Sequence, residues 1–349
     1  MSDLLAKLLS EREYLMADGA IGTNLFAMGL ETGEAPELWN TDNPENVRKL
    51  HDSFVDAGSD ILITNTFGAN SYRLQLHNAQ DRVRELNMAG VRIAREAADA
   101  AGRPVVVAAS MGPTGEIFEP VGTLSEADGE AAFAEQAKAQ AEAGADVHWI
   151  ETISGHEELT AAVRGASVTG LPIVSTMTFD TVGRTMMGLT TEAAMELGHN
   201  LSAELLAAGK TGLAAYGSNC GVGPATLVDS ILGLGRGANG GDILVAKGNC
   251  GIPQYDDGAI VYTGTPEIMA TYARMARDAG ARIIGGCCGT TAEHVRAMVD
   301  ALKDYTPGEQ PDRAAIESTL GPVDQAAPSP HGARGGRDEE GGRRRRRRG

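Results

Sequence analysis

The feature that most constrains the fold of this chain is a regular alternation of short apolar runs and longer segments with helical periodicity. Eight runs rich in β-branched residues are predicted strands, at residues 14–20, 61–67, 105–111, 147–153, 172–179, 214–220, 243–250 and 282–289. Between them, apolar residues recur at helical spacing, for example over 47–57, 83–101, 126–143, 191–208, 266–279 and 292–302. Alternating strands and helices favour parallel pairing, so the pattern predicts an α/β fold.

Capping residues support the predicted helices. Ser125, Thr190 and Thr291 each stand at the start of a helical segment, where a side-chain oxygen accepts a backbone N–H. Thr265 is the clearest of these residues because Pro266 follows it at the first helical position, where a missing N–H costs nothing.

The number of strand–helix units indicates a particular α/β architecture. Eight units over about 300 residues fit a closed (β/α)8 TIM barrel. A doubly wound open sheet is the main alternative, but the first turn, residues 18–22, lacks the three spaced glycines of a dinucleotide-binding fingerprint. From residue 306 the chain is rich in Pro, Gly, Ala and charge. We predict a barrel over residues 1–305 and a low-complexity, Arg-rich tail over 306–349 that is largely disordered or lies on the surface.

The charge distribution limits the partners of such a barrel. The net charge is −17, but eight arginines from Arg334 onward oppose three acidic residues, which gives this end +5 and the rest −22. A body this acidic repels nucleic acid and acidic membranes, so polyanion binding would depend on the arginines at 343–348. No run approaches the roughly 20 apolar residues of a membrane helix, and residues 1–13 lack the apolar core of a signal peptide. We predict a cytoplasmic protein without a membrane partner, and an oligomer is compatible with the sequence.

All four cysteines lie at the C-terminal ends of predicted strands. Cys220 ends the sixth strand, Cys250 ends the seventh, and Cys287 and Cys288 stand together at the eighth. These strand ends carry the chemistry of (β/α)8 barrels, and the sixth and eighth ends lie roughly 10 Å apart, so inward-leaning side chains can meet. Three thiolates around Zn²⁺ leave one tetrahedral position open, as in catalytic zinc sites. We therefore predict that Cys220, Cys287 and Cys288 are zinc ligands.

Other roles stay open for neighbouring residues. A free cysteine is commonly a small buried hydrophobe, and Cys250 either packs beside the site in this way or touches the metal. Asn249 has a carbonyl oxygen that would serve as a placeholder ligand while substrate is absent. The seven histidines include no pair at i, i+4, and we predict structural roles for them.

Five motifs at the predicted strand ends form a specific set: DGAIGT at 18–23, TNTF at 64–67, IET at 150–152, GSNC at 217–220 and GGCCGT at 285–290. With this set, the chain resembles the homocysteine S-methyltransferase family over residues 12–303. Within that family it looks most like the bacterial betaine–homocysteine methyltransferases. The homocysteine domain of cobalamin-dependent methionine synthase is similar too.

The resemblance implies an activity and a set of site residues. It implies transfer of a methyl group to the thiol of L-homocysteine, giving methionine, with zinc held by the three cysteines named above. It also implies that Asp18 and Glu151 bind the amino group of homocysteine, because an ammonium group needs carboxylates. Backbone amides in the turn from Gly19 to Thr23 are candidates for holding the substrate carboxylate.

The methyl donor is defined less well by the sequence. An onium cation is usually held by aromatic faces, and aromatic residues make up only 4% of the chain. Trp39, Phe67 and Tyr72 are the predicted donor-binding residues. The chain has Gly68 and Thr152 where animal betaine enzymes carry tyrosines, so a betaine cage would be incomplete. Betaine is the first candidate, and dimethylsulfoniopropionate, S-methylmethionine and a separate methyl-corrinoid protein are the alternatives.

Two other classes of protein compete with a methyltransferase. The arginine run at 343–348 is typical of polyanion-binding segments, which would indicate a nucleic-acid-binding or regulatory protein. A zinc hydrolase on the same barrel would need a site rich in histidine or carboxylate, because three thiolates make bound water less acidic. The cysteine set favours the methyltransferase.

Overall fold

The computed structural model describes residues 3–31, 33–180, 183–251, 253–256 and 259–323. Eight parallel strands within these ranges form one sheet: β1 (Leu15–Met16), β2 (Ile61–Ile63), β3 (Val106–Met111), β4 (Val147–Ile153), β5 (Ile173–Met177), β6 (Leu213–Cys220), β7 (Leu244–Gly248) and β10 (Ala281–Gly286). A two-stranded antiparallel hairpin, β8 (Pro253–Asp256) and β9 (Ala259–Tyr262), lies between β7 and β10 in the sequence.

The strand order shows that the sheet closes on itself. The order is β1-β10-β7-β6-β5-β4-β3-β2, and a parallel bridge between Ala17 and Ile61 joins the two outer strands. At this seam the N–H of Asp18 donates to the carbonyl of Ile61 at 3.1 Å, and the N–H of Asp60 donates to the carbonyl of Met16 at 2.6 Å. The prediction of a (β/α)8 barrel is therefore confirmed, and the doubly wound alternative is wrong.

Helices surround the barrel in alternation with the strands. They are α1 (Leu4–Glu11), α2 (Gly22–Ala27), α3 (Trp39–Asp42), α4 (Pro44–Ala57), α5 (Ser71–Gln75), α6 (Val83–Ala100), α7 (Glu126–Glu142), α8 (His156–Ala166), α9 (Thr191–Ala207), α10 (Pro224–Gly237), α11 (Pro266–Asp278), α12 (Ala292–Leu302) and α13 (Arg313–Leu320). Ser125, Thr190 and Thr265 accept backbone N–H bonds as N-caps, and Thr291 forms a capping box with His294. The four predicted caps are therefore confirmed.

Apolar side chains fill two separate regions. Inside the barrel, residues such as Val106, Trp149 and Val245 form an inner cluster, to which Leu5 and Leu8 of α1 contribute. A larger cluster lies between the sheet and the surrounding helices. The inner cluster packs one end of the barrel interior, so the opposite, C-terminal end of the strands is left for polar residues. No helix among the described residues has the length and apolar character to span a membrane.

The start of the predicted tail packs against the barrel, which is the second of the two forms predicted for it. Residues 306–323 include α13, whose N-cap Asp312 accepts the N–H of Ala315 at 2.8 Å. Ile316 and Val323 are buried, and the hydroxyl of Thr226 on α10 donates to the carbonyl of Val323 at 2.9 Å. The two buried apolar side chains and the N-cap hold this short segment in place, although it is rich in Pro, Gly, Ala and charged residues. The rest of the predicted tail, 324–349, lies outside the described residues.

Candidate metal centre

Three cysteine side chains meet at the C-terminal mouth of the barrel. The Sγ of Cys220, at the end of β6, lies 3.1 Å from the Sγ of Cys287 and 3.7 Å from that of Cys288. All three Sγ atoms lie within 4.8 Å of one another. In the sheet, β7 lies between β6 and β10, so the C-terminal ends of β6 and β10 approach each other across one intervening strand. The structure thus brings together the three residues that the sequence predicts as ligands.

Backbone conformation at the end of β6 sets the position of Cys220. Cys220 has a φ of 61° and Thr152, at the end of β4, has a φ of 64°. A non-glycine residue held in this left-handed region costs on the order of 1–3 kcal/mol, and such strain concentrates at functional sites. Asn219 links the two positions, because its Oδ1 accepts the N–H of Thr152 at 2.8 Å and its Nδ2 donates to Thr152 Oγ1 at 2.7 Å.

Close packing holds the loop that carries Cys287 and Cys288. A Cβ added to Gly286 would lie 2.2 Å from Thr290 Cγ2, so a side chain has no room there. The N–H of Cys287 donates to the carbonyl of Gly248 at 2.7 Å, which ties the loop to β7. The glycines of the GGCCGT motif therefore serve the placement of the cysteine pair.

Asn249 and Cys250 do not join the thiol cluster. The Oδ1 of Asn249 accepts the N–H of Cys288 at 3.1 Å, and its Nδ2 donates to the carbonyl of Gly221 at 2.6 Å. This side chain braces the two cysteine loops, and the placeholder-ligand role of Asn249 stays a hypothesis. Cys250 is buried and its thiol donates to the carbonyl of Gly264 at 3.1 Å. Burial raises the pKa of Cys250 to about 11, so it stays a neutral thiol.

The cluster has the donor chemistry of a zinc site. The neighbouring side chains of Cys220 and Cys287 stabilise the thiolate form of Cys288 and hold the pKa of Cys288 well below its ordinary value. Ligand sulfurs around a tetrahedral zinc ion with bonds of about 2.3 Å lie roughly 3.8 Å apart. The separations of 3.1 and 3.7 Å are close to that spacing, and thiolate is a soft ligand that suits zinc. The three residues therefore fit a Zn²⁺ ion with one further position available.

Glu151 lies beside the cluster at the end of β4. Its Oε1 accepts the hydroxyl of Ser110 at 2.5 Å. Burial raises the pKa of Glu151 to about 7, with smaller contributions of the same sign from Cys287 and Asp18 and opposing ones from Lys247 and Ser110. Glu151 also lines the cavity described below. Its carboxyl group is therefore available to a cationic group of a ligand, as the sequence prediction requires.

Lys247 is a buried cation that none of the sequence motifs indicates. Its Nζ donates to Asp18 Oδ1 at 2.9 Å and to the main-chain oxygen of Asp18 at 3.3 Å. Burial by itself would lower the pKa of Lys247, but the charges of Asp18, Glu151 and Cys287 outweigh this effect and raise it. The lysine therefore stays charged. The only sign of it in the sequence is a lysine that interrupts the apolar run of β7.

Asp18 stands at the end of the first strand, as predicted, but its carboxylate is already paired within the protein. It is completely buried, and it is not among the residues that line the cavity. Lys247 occupies its Oδ1, and the N–H of Ile63 donates to its Oδ2 at 2.7 Å. The contact between Asp18 and a substrate amino group stays a prediction. Asp18 holds Lys247, which does line the cavity.

A cavity of about 560 Å³ opens above the cluster. The three cysteines, Glu151, Lys247, Gly19 and Phe67 all contribute to its lining. Among the three predicted donor-binding residues, Phe67 lines the cavity, whereas Trp39 and Tyr72 are half-buried and pack against the outer apolar cluster. Phe67 is thus the predicted aromatic residue that the cavity exposes, and the partly exposed Phe26 also lines it. A donor-binding role for Trp39 and Tyr72 stays a prediction.

Glu37 supplies a second carboxyl group to the cavity. It is buried, and its Oε1 accepts the N–H of Gly68 at 2.6 Å. Burial raises the pKa of Glu37, and the N–H of Gly68 and the charges of Arg73 and His77 act in the opposite direction. A Cβ on Gly68 would lie 3.0 Å from Glu37 Oε1, so the glycine gives this carboxyl group its place. No pattern in the sequence indicates this pairing.

Comparison with known proteins identifies the family. A family model described as homocysteine S-methyltransferase matches residues 15–302. The chain belongs to this family. Methionine synthase of Mycobacterium tuberculosis is 31% identical over 329 residues, which cover 89% of this chain and 26% of that protein. Methionine synthase of Mycobacterium leprae is 29% identical over 327 residues with the same coverage. The chain therefore spans about a quarter of the length of these family relatives.

Solved structures show the same fold. The homocysteine methyltransferase MmuM from Escherichia coli, in its metallated form, superposes with a TM-score of 0.69 and 24% identity, covering 84% of this chain and 98% of that one. The oxidized form of MmuM gives the same TM-score and identity. These likenesses show that the chain and MmuM share the barrel fold.

Proposed function

We propose that this chain catalyses zinc-dependent transfer of a methyl group from a small onium donor to the thiol of L-homocysteine, giving methionine. The observation that carries the proposal is the cluster of Cys220, Cys287 and Cys288 at the wall of a cavity large enough for two small substrates. Membership of the homocysteine S-methyltransferase family supports it. Free thiols in contact require a reducing compartment, so we propose a cytoplasmic location.

The three cysteines would hold the metal. A bound Zn²⁺ supplies Lewis acidity, which keeps a sulfur ligand in its reactive thiolate form at neutral pH. Asn219 and Asn249 keep the cysteine loops in place through their bonds to Thr152 and to the N–H of Cys288. Such supporting contacts typically change metal affinity by about 10- to 100-fold when they are lost.

Glu151 would bind the amino group of homocysteine. Its carboxyl group lines the cavity next to the cluster, and an ammonium group that enters the cavity would offset the cost of ionising a buried acid. This contact fixes the amino acid at its α-carbon. The thiol then extends toward the cysteines, where the proposed reaction takes place.

The other part of the cavity would bind the donor. Phe67 presents an aromatic ring and Glu37 a buried carboxyl group, and both attract a quaternary ammonium or sulfonium cation. Arg73 and His77, which also line the cavity and whose charges act on Glu37, suit the carboxylate of a zwitterionic donor. Betaine carries both groups, so we propose it as the first candidate. Dimethylsulfoniopropionate and S-methylmethionine share this chemistry.

The transfer itself is a displacement at the methyl carbon. The homocysteine sulfur gives an electron pair to form the new S–C bond, and the pair of the breaking N–C bond leaves on dimethylglycine. The donor loses its positive charge, and the thiolate becomes a neutral thioether. The residues of this chain contribute position and exclusion of water, which accelerate such reactions without a general base.

A donor screen tests the proposal. Zinc-loaded protein is incubated with homocysteine and, separately, betaine, dimethylsulfoniopropionate, S-methylmethionine or methylcobalamin, and methionine is measured. We expect methionine from at least one onium donor, with betaine the most active. Methionine from methylcobalamin alone would replace the onium donor by a methyl-corrinoid, and no methionine from any donor would contradict the proposed function.

A further inference from the structure

We propose that Lys247 binds the α-carboxylate of the amino-acid substrate and so makes the site select an amino acid over a simple aminothiol. The inference rests on the proposed function, which places the substrate thiol at the cysteine cluster. It assigns a substrate-binding role to a residue that belongs to none of the five sequence motifs.

The ammonium group of Lys247 lies where a charge is costly. Lys247 is 2% exposed, and a buried ammonium group is strongly unfavourable unless it is paired. Asp18 pairs with it at 2.9 Å and is itself completely buried. The fold therefore maintains an ion pair beside the site, although an apolar pair of similar volume would be at least as stable. A specific use for the cation accounts for its presence.

The hydrogen-bonding capacity of this cation is not fully used. An ammonium group has three donors, and within the described residues the hydrogen bonds of Lys247 end on Asp18 alone, at Oδ1 and at the main-chain oxygen. Lys247 lines the cavity, whereas Asp18 does not. The remaining donor is thus available to a ligand in the cavity, and a charged donor in a cavity favours an anionic acceptor.

Lys247 lines the same cavity as the groups proposed for the rest of the substrate. Glu151 and Cys287 both belong to this lining, and the charge of Lys247 acts on each of them. In homocysteine, four bonds separate the sulfur from the carboxylate carbon, a reach of about 5 Å. A substrate this short that binds both Glu151 and the cysteine cluster keeps its carboxylate within the cavity that Lys247 lines.

Lys247 competes with two other kinds of group for the carboxylate. In the turn from Gly19 to Thr23, the N–H of Ala20 donates to the carbonyl of Thr290 at 3.0 Å, and the remaining amides of the turn carry no full charge. Arg73 and His77 are the other basic residues that line the cavity, and their charges act on Glu37 in the donor part. Lys247 is therefore the cation best placed for the carboxylate of homocysteine.

Three thiols that differ in their charged groups test the inference. Homocysteine carries an amino group and a carboxylate, 3-aminopropane-1-thiol lacks the carboxylate, and 4-mercaptobutyrate lacks the amino group. Their dissociation constants are measured by calorimetry on zinc-loaded wild type and on Lys247→Met. We expect Lys247→Met to raise the dissociation constants of homocysteine and 4-mercaptobutyrate by about 10- to 100-fold, as for a lost charged hydrogen bond. The dissociation constant of 3-aminopropane-1-thiol should change by less than about twofold.

Two further variants keep the test decisive. Lys247→Met leaves Asp18 buried and unpaired, so the double variant Asp18→Asn/Lys247→Met removes both charges. We expect this double variant to lose the preference for homocysteine over 3-aminopropane-1-thiol to the same extent. Arg73→Met is the matched control, since it removes another cation of the cavity, and it should keep the preference for homocysteine.

The outcomes separate the inference from the function on which it rests. If Lys247→Met binds all three thiols more weakly to the same extent, Lys247 has a purely structural role and the inference is overturned. Retained preference in the folded double variant, or loss of it in Arg73→Met, would also overturn it while leaving the methyltransferase intact. If wild type binds no homocysteine, the proposed function itself fails.

Discussion

At the scale of single residues, the cavity is an arrangement of charges that compensate one another in a confined space. Lys247 is paired with Asp18 at 2.9 Å, while Glu151 and the thiol cluster stand close enough for their charges to interact. Because burial penalises each ionised form, a ligand that brings the missing charge is bound more strongly than it would be at the surface. The ionisation of Glu151 follows directly from this arrangement.

Homocysteine binding should depend on pH through Glu151. Its pKa is raised to about 7 by burial, so the carboxylate that attracts an ammonium group is present above pH 7 and is lost as the pH falls below it. We expect the KM for homocysteine to rise about tenfold per unit below pH 7, with a smaller change in kcat. Steady-state kinetics from about pH 6 to about pH 8 measure this, with Glu151→Gln as control. An unchanged pH profile in Glu151→Gln would exclude Glu151 as the titrating group.

The site residues divide into those that a sequence can reveal and those that it cannot. Cys220, Cys287 and Cys288 were predictable because a vicinal cysteine pair and a third thiol at the same barrel rim form a pattern typical of metal sites. Lys247 and Glu37 were not, because a single charged residue carries no spacing signal, and its partner is set by the fold. For Asp18 the strand-end position was predictable, whereas its ion pair with the unpredicted Lys247 was not.

At the scale of elements, the eight barrel strands were predicted in the right number and order. The C-terminal ends of β3, β4 and β6 were predicted correctly, whereas the other five strands were predicted too long at this end. β2 was expected at 61–67 and spans Ile61–Ile63. Beyond Ile63, side-chain hydrogen bonds replace the backbone hydrogen bonds between strands. Thr64 Oγ1 accepts the N–H of Ser110 at 3.0 Å, and Thr66 Oγ1 donates to the carbonyl of Ser110 at 2.8 Å. An apolar pattern does not show where side chains take over backbone bonding, so the polar rim is where strand predictions fail.

The docked helix α13 leads to a stability prediction. Ile316 is its buried residue, so Ile316→Ala should lower the free energy of unfolding by about 2 kcal/mol, at the low end for Ile→Ala in a core because the helix is peripheral. Chemical denaturation measures this, and the exposed Thr319→Ala is the matched control with an expected change within about 0.5 kcal/mol. Equal stability of the two variants would show that α13 does not dock in solution. Methyl transfer should be unchanged in both.

At the scale of the whole molecule, the candidate site is built entirely from one barrel. The residues that line its cavity run from Gly19 to Cys288, so strands and loops from nearly the whole barrel contribute. The acidic charge of the chain belongs to this body, whereas all eight arginines from Arg334 onward lie beyond the described residues. A body this acidic favours an enzyme for small molecules over a polyanion-binding protein.

Removal of residues 324–349 distinguishes methyl transfer from polyanion binding. Because no side chain of the described site requires this segment, we expect the truncated chain to keep kcat and KM for methyl transfer within about twofold of wild type. Binding to a DNA duplex at low salt should fall in the same variant if the arginines bind polyanions at all. Loss of methyl transfer in a folded truncated chain would contradict this account of the site.

The most direct test of the central claim compares two cysteine variants that differ only in whether the thiol belongs to the cluster. Zinc content and methionine formation are measured for wild type, Cys287→Ser and Cys250→Ser. Wild type and Cys250→Ser should each hold one zinc per chain and form methionine, whereas folded Cys287→Ser should lose most of its zinc and form no measurable methionine. A folded Cys287→Ser protein that still transfers methyl groups at the wild-type rate would contradict the claim.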